Sequence, residues 1–352
     1  MIKKLLDASL GGVDLHFVPM SFSSDMDEIG RFRWKKLLIL PLLIARIWRQ
    51  RFKTGSHTLY YPPGGESLTA IYRDIILLFS CRVLFRNVVF HVHSGGFTDV
   101  ADTACLPVRF LAYRAYRKPD MVIQLTEKSP PDGERIKAEK VVVIPNGLED
   151  SASRFGEVPH RGEDTGRRVN VLFVGVVSDS KGCRVLLDAC RCLHAKGVDF
   201  SLRLIGRFYS PEFEAECRSF VEEHDMEDCV LFAGVKTGDE KWEEYRAADI
   251  FCLPSFFKSE NQSLVILEAM QFGLPCVASD WRGMSSMIID GETGYLVPIH
   301  DSEVLAERIE TLLGDPVLRS KMGKKARELY LENFTDEVWC SRMEEALQGS
   351  GA

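Results

Sequence analysis

Short, almost wholly apolar runs recur along this chain, each stopped by glycine, proline or a polar turn and followed by a stretch with helical spacing. Asn87-Val88-Val89-Phe90-His91-Val92-His93 runs into Ser94-Gly95-Gly96, and Val169-Asn170-Val171-Leu172-Phe173-Val174 into Gly175. Asp249-Ile250-Phe251-Cys252-Leu253 stops at Pro254-Ser255. A strand wetted on one face alternates apolar with polar residues. A run apolar at nearly every position is covered on both faces, as a parallel strand between helices is. The alternation therefore predicts an α/β chain built on doubly wound parallel sheets. A length of 352 residues exceeds what one core of this kind usually holds, so two domains are expected.

The first series reads as strands at 58–61, 87–93, 121–125 and 140–144, with helices at 67–81 and 101–117. Before it, residues 2–10 read as the tail of a helix ended by Gly11-Gly12, and Val13 to Phe22 as a strand. The second series reads as strands at 169–175, 200–205, 230–233, 249–253, 275–279 and 295–298. Its helices fall at 182–196, 211–224, 239–247, 264–271, 283–289, 301–313 and 316–332. Residues 149–168, EDSASRFGEVPHRGEDTGRR, are polar and rich in glycine and charge, as a linker is. The expected organisation is an N-terminal domain over 1–148, the linker 149–168, a C-terminal domain over 169–334, and a helix in 335–352 packing back across the domains.

A net charge of −7 offers no domain-wide basic surface and argues against nucleic acid as a partner. The ten cysteines show no zinc spacing, which suits reduced thiols in a cytosolic protein. No apolar run is long enough to span a bilayer, and the first residues lack the apolar stretch of a signal peptide. A cytoplasmic location is expected, at the inner face of the membrane if the segment 31–53, RFRWKKLLILPLLIARIWRQRFK, contacts lipid. Two readings of that segment compete: a core helix with solvated basic ends, or an interfacial helix drawn to anionic lipid with Trp34 and Trp48 near its ends.

Open α/β sheets bind ligands beyond the carboxyl ends of their strands. At those ends stand Gly175, followed by Ser178-Asp179-Ser180-Lys181-Gly182 at a helix start, and Ser255 with Glu260 after the strand 249–253. Amides at helix starts attract anions, and Lys181 adds a charge. Glu268 lies on the apolar helix 264–271, where a carboxylate is costly to bury without a partner. Ribose hydroxyls are one such partner. Were 260–268 helical throughout, Glu260 and Glu268 would stand roughly 12 Å apart along it. Glu260 could equally be a loop carboxylate capping that helix. His93 ends the strand 87–93. His91 shares its face by two-residue alternation, so either histidine could meet a substrate, with His93 nearer the loop.

VVVIPNGLED, VLFVGVVSDSKG, AADIFCLPS, SENQSLVILEAMQFGLPCVAS and IIDGETGYLVP, in that order, resemble the family 4 glycosyltransferases, a retaining group. The resemblance covers Val141 to about Phe334. It implies two facing Rossmann-like domains of GT-B architecture, with the nucleotide-sugar donor held mainly by the second and the first, 1–148, on the acceptor side. It implies that Glu268 binds ribose and that Glu260 and the amides of Asn261, Gln262, Ser263 and Leu264 contact the transferred sugar and diphosphate. Lys181 would neutralise the leaving group and His93 would lie near the reacting sugar, with no metal or other cofactor. The chain departs from the family at three places. Val176 stands where a basic residue follows the glycine, and Ser286 stands where a helix carries glutamate. Arg282 is near enough in sequence to supply a cation instead. The opening strand and Gly-rich loop of the first domain are lacking. The implied activity is transfer of a hexose to a glycan or lipid-linked acceptor in surface polysaccharide assembly. The alternatives are a degenerate, non-catalytic nucleotide-sugar-binding protein, which the departures favour, and a nucleotide-sugar epimerase.

Overall fold

The computed structural model describes residues 13–20, 34–64, 67–156 and 166–349, with the side chains of 34–38 left aside. The chain forms two compact units, one of residues up to Pro145 together with Trp339 onward, the other Asn146–Val338.

The first unit is a four-stranded parallel sheet of β1 (Thr58–Tyr61), β2 (Asn87–Val92), β3 (Met121–Gln124) and β4 (Lys140–Val143), side by side in chain order. Right-handed crossovers between strands that always step the same way leave every connecting helix on one face. That face carries α1 (Trp34–Thr54), α2 (Leu68–Cys81), α3 (Phe97–Asp102) and α4 (Leu106–Tyr116). Leu40, Ile71, Phe97 and Tyr116 from these helices pack on Tyr61, Val88, Phe90 and Val122 of the sheet. A short helix α5 (Asp132–Arg135) precedes β4. The residues in between along each strand, Val89, Met121 and Ile123, point the other way. They are covered by Trp339, Met343, Ala346 and Leu347 from the chain's last helix, α12 (Asp336–Gln348).

The second unit has six parallel strands: β5 (Val169–Val174), β6 (Phe200–Ile205), β7 (Val230–Gly234), β8 (Ile250–Leu253), β9 (Cys276–Ser279) and β10 (Gly294–Val297). Their spatial order is β10-β9-β8-β5-β6-β7. The first three strands step outward one way and the last three the other, which is the doubly wound Rossmann order with its reversal between β5 and β8. Helices α6 (Cys183–Ala195), α7 (Pro211–Glu223), α8 (Asp239–Ala247), α9 (Leu264–Gln271), α10 (Ser302–Gly314) and α11 (Pro316–Asn333) complete it. α6 packs on α10 and α9 on α11 around one continuous core.

Three sequence expectations are corrected. Val13–Met20 forms no strand; Val13 and Leu15 pack on one cluster of the unit and Val18 and Met20 on the other, and Pro19 removes a ladder donor. The predicted 2–10 helix and residues 21–22 lie outside the described residues. The helix foreseen at 101–117 is two, because Cys105 is extended (ψ 152°) and Pro107 restarts the chain as a first-turn residue. The predicted 283–289 helix is a 3-10 turn, Arg282–Ser286, with Arg282 at a φ of 48° that no α-helix continues through.

Candidate active site

Where the strand order reverses, the loops leaving β5 and β8 are neighbours with nothing between them. β5 ends at Gly175, whose φ of 155° suits glycine. Ser178 Oγ accepts from the Lys181 amide (3.4 Å) and so closes the 3-10 turn Asp179–Lys181. Gly182 then turns into α6 with φ 75°. A Cβ on Gly182 would lie 2.0 Å from the Pro254 carbonyl oxygen, so the two loops touch backbone to backbone. The Phe256 amide donates to Ser180 O (2.9 Å), and Ser255 Oγ lies 3.4 Å from the same oxygen.

This contact brings Lys181 to Glu260, Nζ to Oε2, at 2.5 Å. The fully buried Ser255 donates its hydroxyl to the same carboxylate oxygen at 3.0 Å. The ammonium also lies 4.9 Å from the centre of the Phe257 ring. Glu260 is buried in a loop, outside any helix, and its partners are Lys181 and Ser255, so the helix-cap alternative and the continuous-helix spacing to Glu268 are both corrected. Asn261, Gln262 and Ser263 follow it, buried, and Leu264 opens α9. Ser263, the residue before the helix, makes no side-chain cap bond. The first amides of α9 therefore keep their partial positive charge without a capping oxygen from that residue. Gln262 Oε1 accepts from the Asn146 amide (2.5 Å), and Gln271, at the far end of α9, bridges Glu149 O and the Ser151 amide (both 3.1 Å).

Glu268 has protein partners that the sequence reading missed. Lys241 Nζ lies 2.7 Å from Oε1, and Tyr245 donates its hydroxyl to Oε2 at 2.8 Å. The two stand one turn apart on α8, a spacing that puts them on one helix face and was visible in the sequence. The expected cost of burying a lone carboxylate is met inside the protein. Two oxygens offer about four acceptor sites, so hydroxyl donors can still be accommodated. Beside these loops, at the ends of β6 and β7, opens a cleft of about 430 Å³ lined by Arg207, Phe208, Tyr209, Phe232 and Val235. The Arg207 carbonyl accepts from the Val177 amide (2.9 Å), which ties this cleft to the loop that carries Lys181.

Of the departures from the family pattern, Val176 lies in the same loop, half-buried. Ser286 donates its hydroxyl to Gly283 O (2.7 Å), and the Arg282 guanidinium lies over the Trp281 ring at 5.5 Å.

His93 belongs to the first unit. It follows β2, and its ring lies 4.0 Å from that of His91. His91 Nδ1 is held by the Tyr60 hydroxyl, while its Nε2 is buried without a hydrogen-bond partner. Burial pushes the His91 pKa well down and His93 neighbours it; burial lowers His93 too. The loop after His93 is fixed by the buried Asp132, which accepts from the Gly96 and Thr98 amides at 2.7 and 2.9 Å. A histidine kept neutral by folding lets the unfolded chain bind the extra proton. Stability is therefore full above the ordinary value of 6.5 and falls as the pH drops below it. Melting temperature followed from pH 8 to pH 5 should decline below about pH 6.5, by up to about 1.4 kcal/mol per pH unit in stability for each histidine kept neutral, and His91→Asn should make that decline shallower.

Residues 161–329 match the family described as glycosyl transferases group 1. The putative colanic acid biosynthesis glycosyltransferase WcaL of Salmonella typhimurium is 29% identical over 324 residues, covering 88% of this chain and 74% of that protein. A D-inositol 3-phosphate glycosyltransferase of Pseudarthrobacter chlorophenolicus is 37% identical over 159 residues, and the amylovoran biosynthesis glycosyltransferase AmsK of Erwinia amylovora 33% over 142. These two matches cover 45% and 39% of this chain, and the chain spans only 37% and 34% of those proteins' length. Among solved structures, Anabaena Alr3699/HepE in complex with UDP superposes with a TM-score of 0.71 at 18% identity, covering 88% of this chain and 82% of that one. Sucrose-phosphate synthase from Thermosynechococcus elongatus gives 0.66 at 23%, covering 91% and 80%. By sequence, then, residues 161–329 match the glycosyl transferases of group 1, and the fold that carries them is GT-B.

Proposed function

We propose that the protein is a retaining glycosyltransferase of the family 4 type. It moves a hexose from a nucleotide-diphospho-sugar to a glycan or lipid-linked acceptor in surface polysaccharide biosynthesis. The observation that carries this reading is the meeting of Lys181 and Glu260 at the reversal of the second sheet, beside a helix start whose Ser263 supplies no cap. A departing nucleoside diphosphate develops negative charge, and a fixed ammonium with backbone amides aimed at it lowers the barrier most when it needs no reorganisation. Lys181 would exchange Glu260 for the diphosphate, leaving Glu260 and the amides of 261–264 to hold the transferred sugar. Glu268, oriented by Lys241 and Tyr245, would accept from the ribose hydroxyls, and the cleft beside Tyr209 would seat the base. His93 would hydrogen-bond the sugar undergoing transfer, with attack on the face the leaving group departs from.

The reading calls for no metal. Among the described residues, the side chains grouped tightly enough to ligate one are His194, Asp228 and Cys229. They precede β7 and end α6, at the opposite ends of the strands. The UDP held by the Anabaena structure and the polysaccharide names of the relatives support the donor class and the setting. The non-catalytic alternative rests on Val176, which leaves Lys181 without a second cation in its own loop. Glu268→Gln keeps the shape of the side chain and removes its charge. It should raise KM for the donor by about tenfold to a hundredfold with a smaller change in kcat, since a charge-assisted hydrogen bond contributes about 1.5–3 kcal/mol. Unchanged kinetics in a variant that still transfers sugar would remove Glu268 from the site. A wild-type protein that binds nucleotide-sugar and turns none over, with or without an acceptor, would establish the non-catalytic reading.

A further inference from the structure

The helical layer of the first unit presents to solvent a surface that a soluble protein does not usually leave bare. Along α2 and the turn after it, Tyr72, Ile76, Phe79 and Val83 are all exposed, Val83 by 80%. They follow one another at four, three and four residues, so they form a single stripe on the helix face turned away from the sheet. α1 lies along one side of this stripe: Trp48 Nε1 donates to Ser80 O at 3.0 Å and Arg51 Nε to Leu84 O at 2.9 Å. That contact sets the exposed faces of Trp48 and Phe52 (71% exposed), one turn apart, next to Phe79 and Val83. α4 packs on the other side of α2, and Arg82 reaches across to Ala115 O and Lys118 O. On α4, Leu106 and Phe110 are 79% and 70% exposed.

The charge on α1 and α4 is one-sided; the acidic groups beside them, Asp99 and Asp102 of α3, are paired with Arg135 and Arg109. The chain as a whole carries −7, yet α1 has six lysines and arginines and no acidic residue. Residues 106–118 have four and none. Arg46, Arg49 and Lys53 on α1 and Arg114, Arg117 and Lys118 at the end of α4 are exposed. Exposed aromatic and aliphatic side chains ringed by arginine and lysine match the boundary of an anionic bilayer, where apolar groups enter the acyl edge and cations meet headgroup phosphates. A protein partner would be expected to answer the apolar stripe, but nothing in its chemistry demands cations on both flanks.

We propose that the outer surface of α1, α2 and α4 docks on an anionic lipid bilayer, peripherally and without crossing it. The interfacial element is thus a three-helix face. The inner side of α1, at Leu40 and Leu43, is spent on the core. No helix among the described residues is long and apolar enough to cross a membrane. The proposal stands apart from the transfer reading, because lipid binding is measured without donor or acceptor.

The test is flotation of the full-length protein with vesicles of phosphatidylcholine alone or with about one-third phosphatidylglycerol, at low and high salt. The expected result is binding to the anionic vesicles that weakens with salt. It should fall about tenfold or more both in Phe52→Ser/Phe79→Ser and in Arg49→Glu/Lys53→Glu/Arg117→Glu, with melting temperatures unchanged. Absence of binding to anionic vesicles at low salt would overturn the proposal, as would binding that survives charge reversal. A dimer in solution that Phe52→Ser/Phe79→Ser dissociates, together with no vesicle binding, would assign the face to a second copy instead.

Discussion

Lys181→Ala is expected to lower kcat for sugar transfer by about a hundredfold to a thousandfold, the usual cost of deleting one fixed stabiliser of a developing anion. The substitution has a second consequence that must be separated from the first. It leaves Glu260 buried without its cation, and breaking a largely buried pair by removing one partner costs roughly 3–5 kcal/mol in stability. A loss of activity alone could then be a loss of folded protein. The double variant Lys181→Ala/Glu260→Ala resolves this. With both charges gone the stability returns in large part, while transfer does not. Turnover per folded molecule, read beside the melting temperature of the single and double variants, distinguishes the two effects. If the single variant turns over donor at the wild-type rate once corrected for folded fraction, Lys181 has no part in leaving-group departure.

Gly182→Ala is expected to be among the most damaging single methyl additions in the second unit, and it is the one that falls between the two loops of the site. The residue holds a φ of 75°, where an L side chain costs about 1–2 kcal/mol. Its Cβ would sit 2.0 Å from the Pro254 carbonyl oxygen, which is backbone and cannot rotate away. The loops after β5 and β8 must then part, and the added cost brings the total to about 3–5 kcal/mol, or a fall of roughly 10 °C in melting temperature. Gly197→Ala supplies the control. Its φ is 72° but nothing lies within 4 Å of the added methyl, so it should show the conformational cost alone. Because parting the loops also draws Lys181 from Glu260, Gly182→Ala should weaken donor binding in the fraction that remains folded, and Gly197→Ala should not. Equal melting temperatures for the two variants would mean that the contact with Pro254 is not a constraint.

Most strands of the second unit were legible because they are apolar at nearly every position, and β6, Phe200–Ile205, because it alternates; several end in a residue that cannot continue them, as at Gly175, Gly206 and Pro254. The helix of eight residues at Leu264–Gln271 was equally plain, stopped by Gly273 and Pro275. The order of strands in each sheet was not legible, since periodicity reports which face is buried but not which neighbour buries it. Val13–Met20 shows that limit: its alternation is real, but the two sets of side chains enter two different clusters and no ladder forms. The site divides in the same way. Lys181 and Glu260 could be nominated from their loops, because ligands gather at the carboxyl ends of strands. The partners of Glu268 could not, because Lys241 and Tyr245 lie 27 and 23 residues away and only the packing of α8 against α9 brings them together.

The sheet of the first unit, with its strands in simple chain order, has a consequence for how the protein is made. One face of that sheet is furnished by helices that are synthesised with it. The opposite face, with Val89, Met121 and Ile123, is closed by a helix that ends at Gln348. On the ribosome the first sheet can be paired while half of its core is still open to water, and it must stay so until residues 339–347 have emerged. The second unit, complete by Val338, has all its own strands and helices before that. The half of the protein made first is therefore the half finished last, and its apolar face is the surface most in need of protection in the interval.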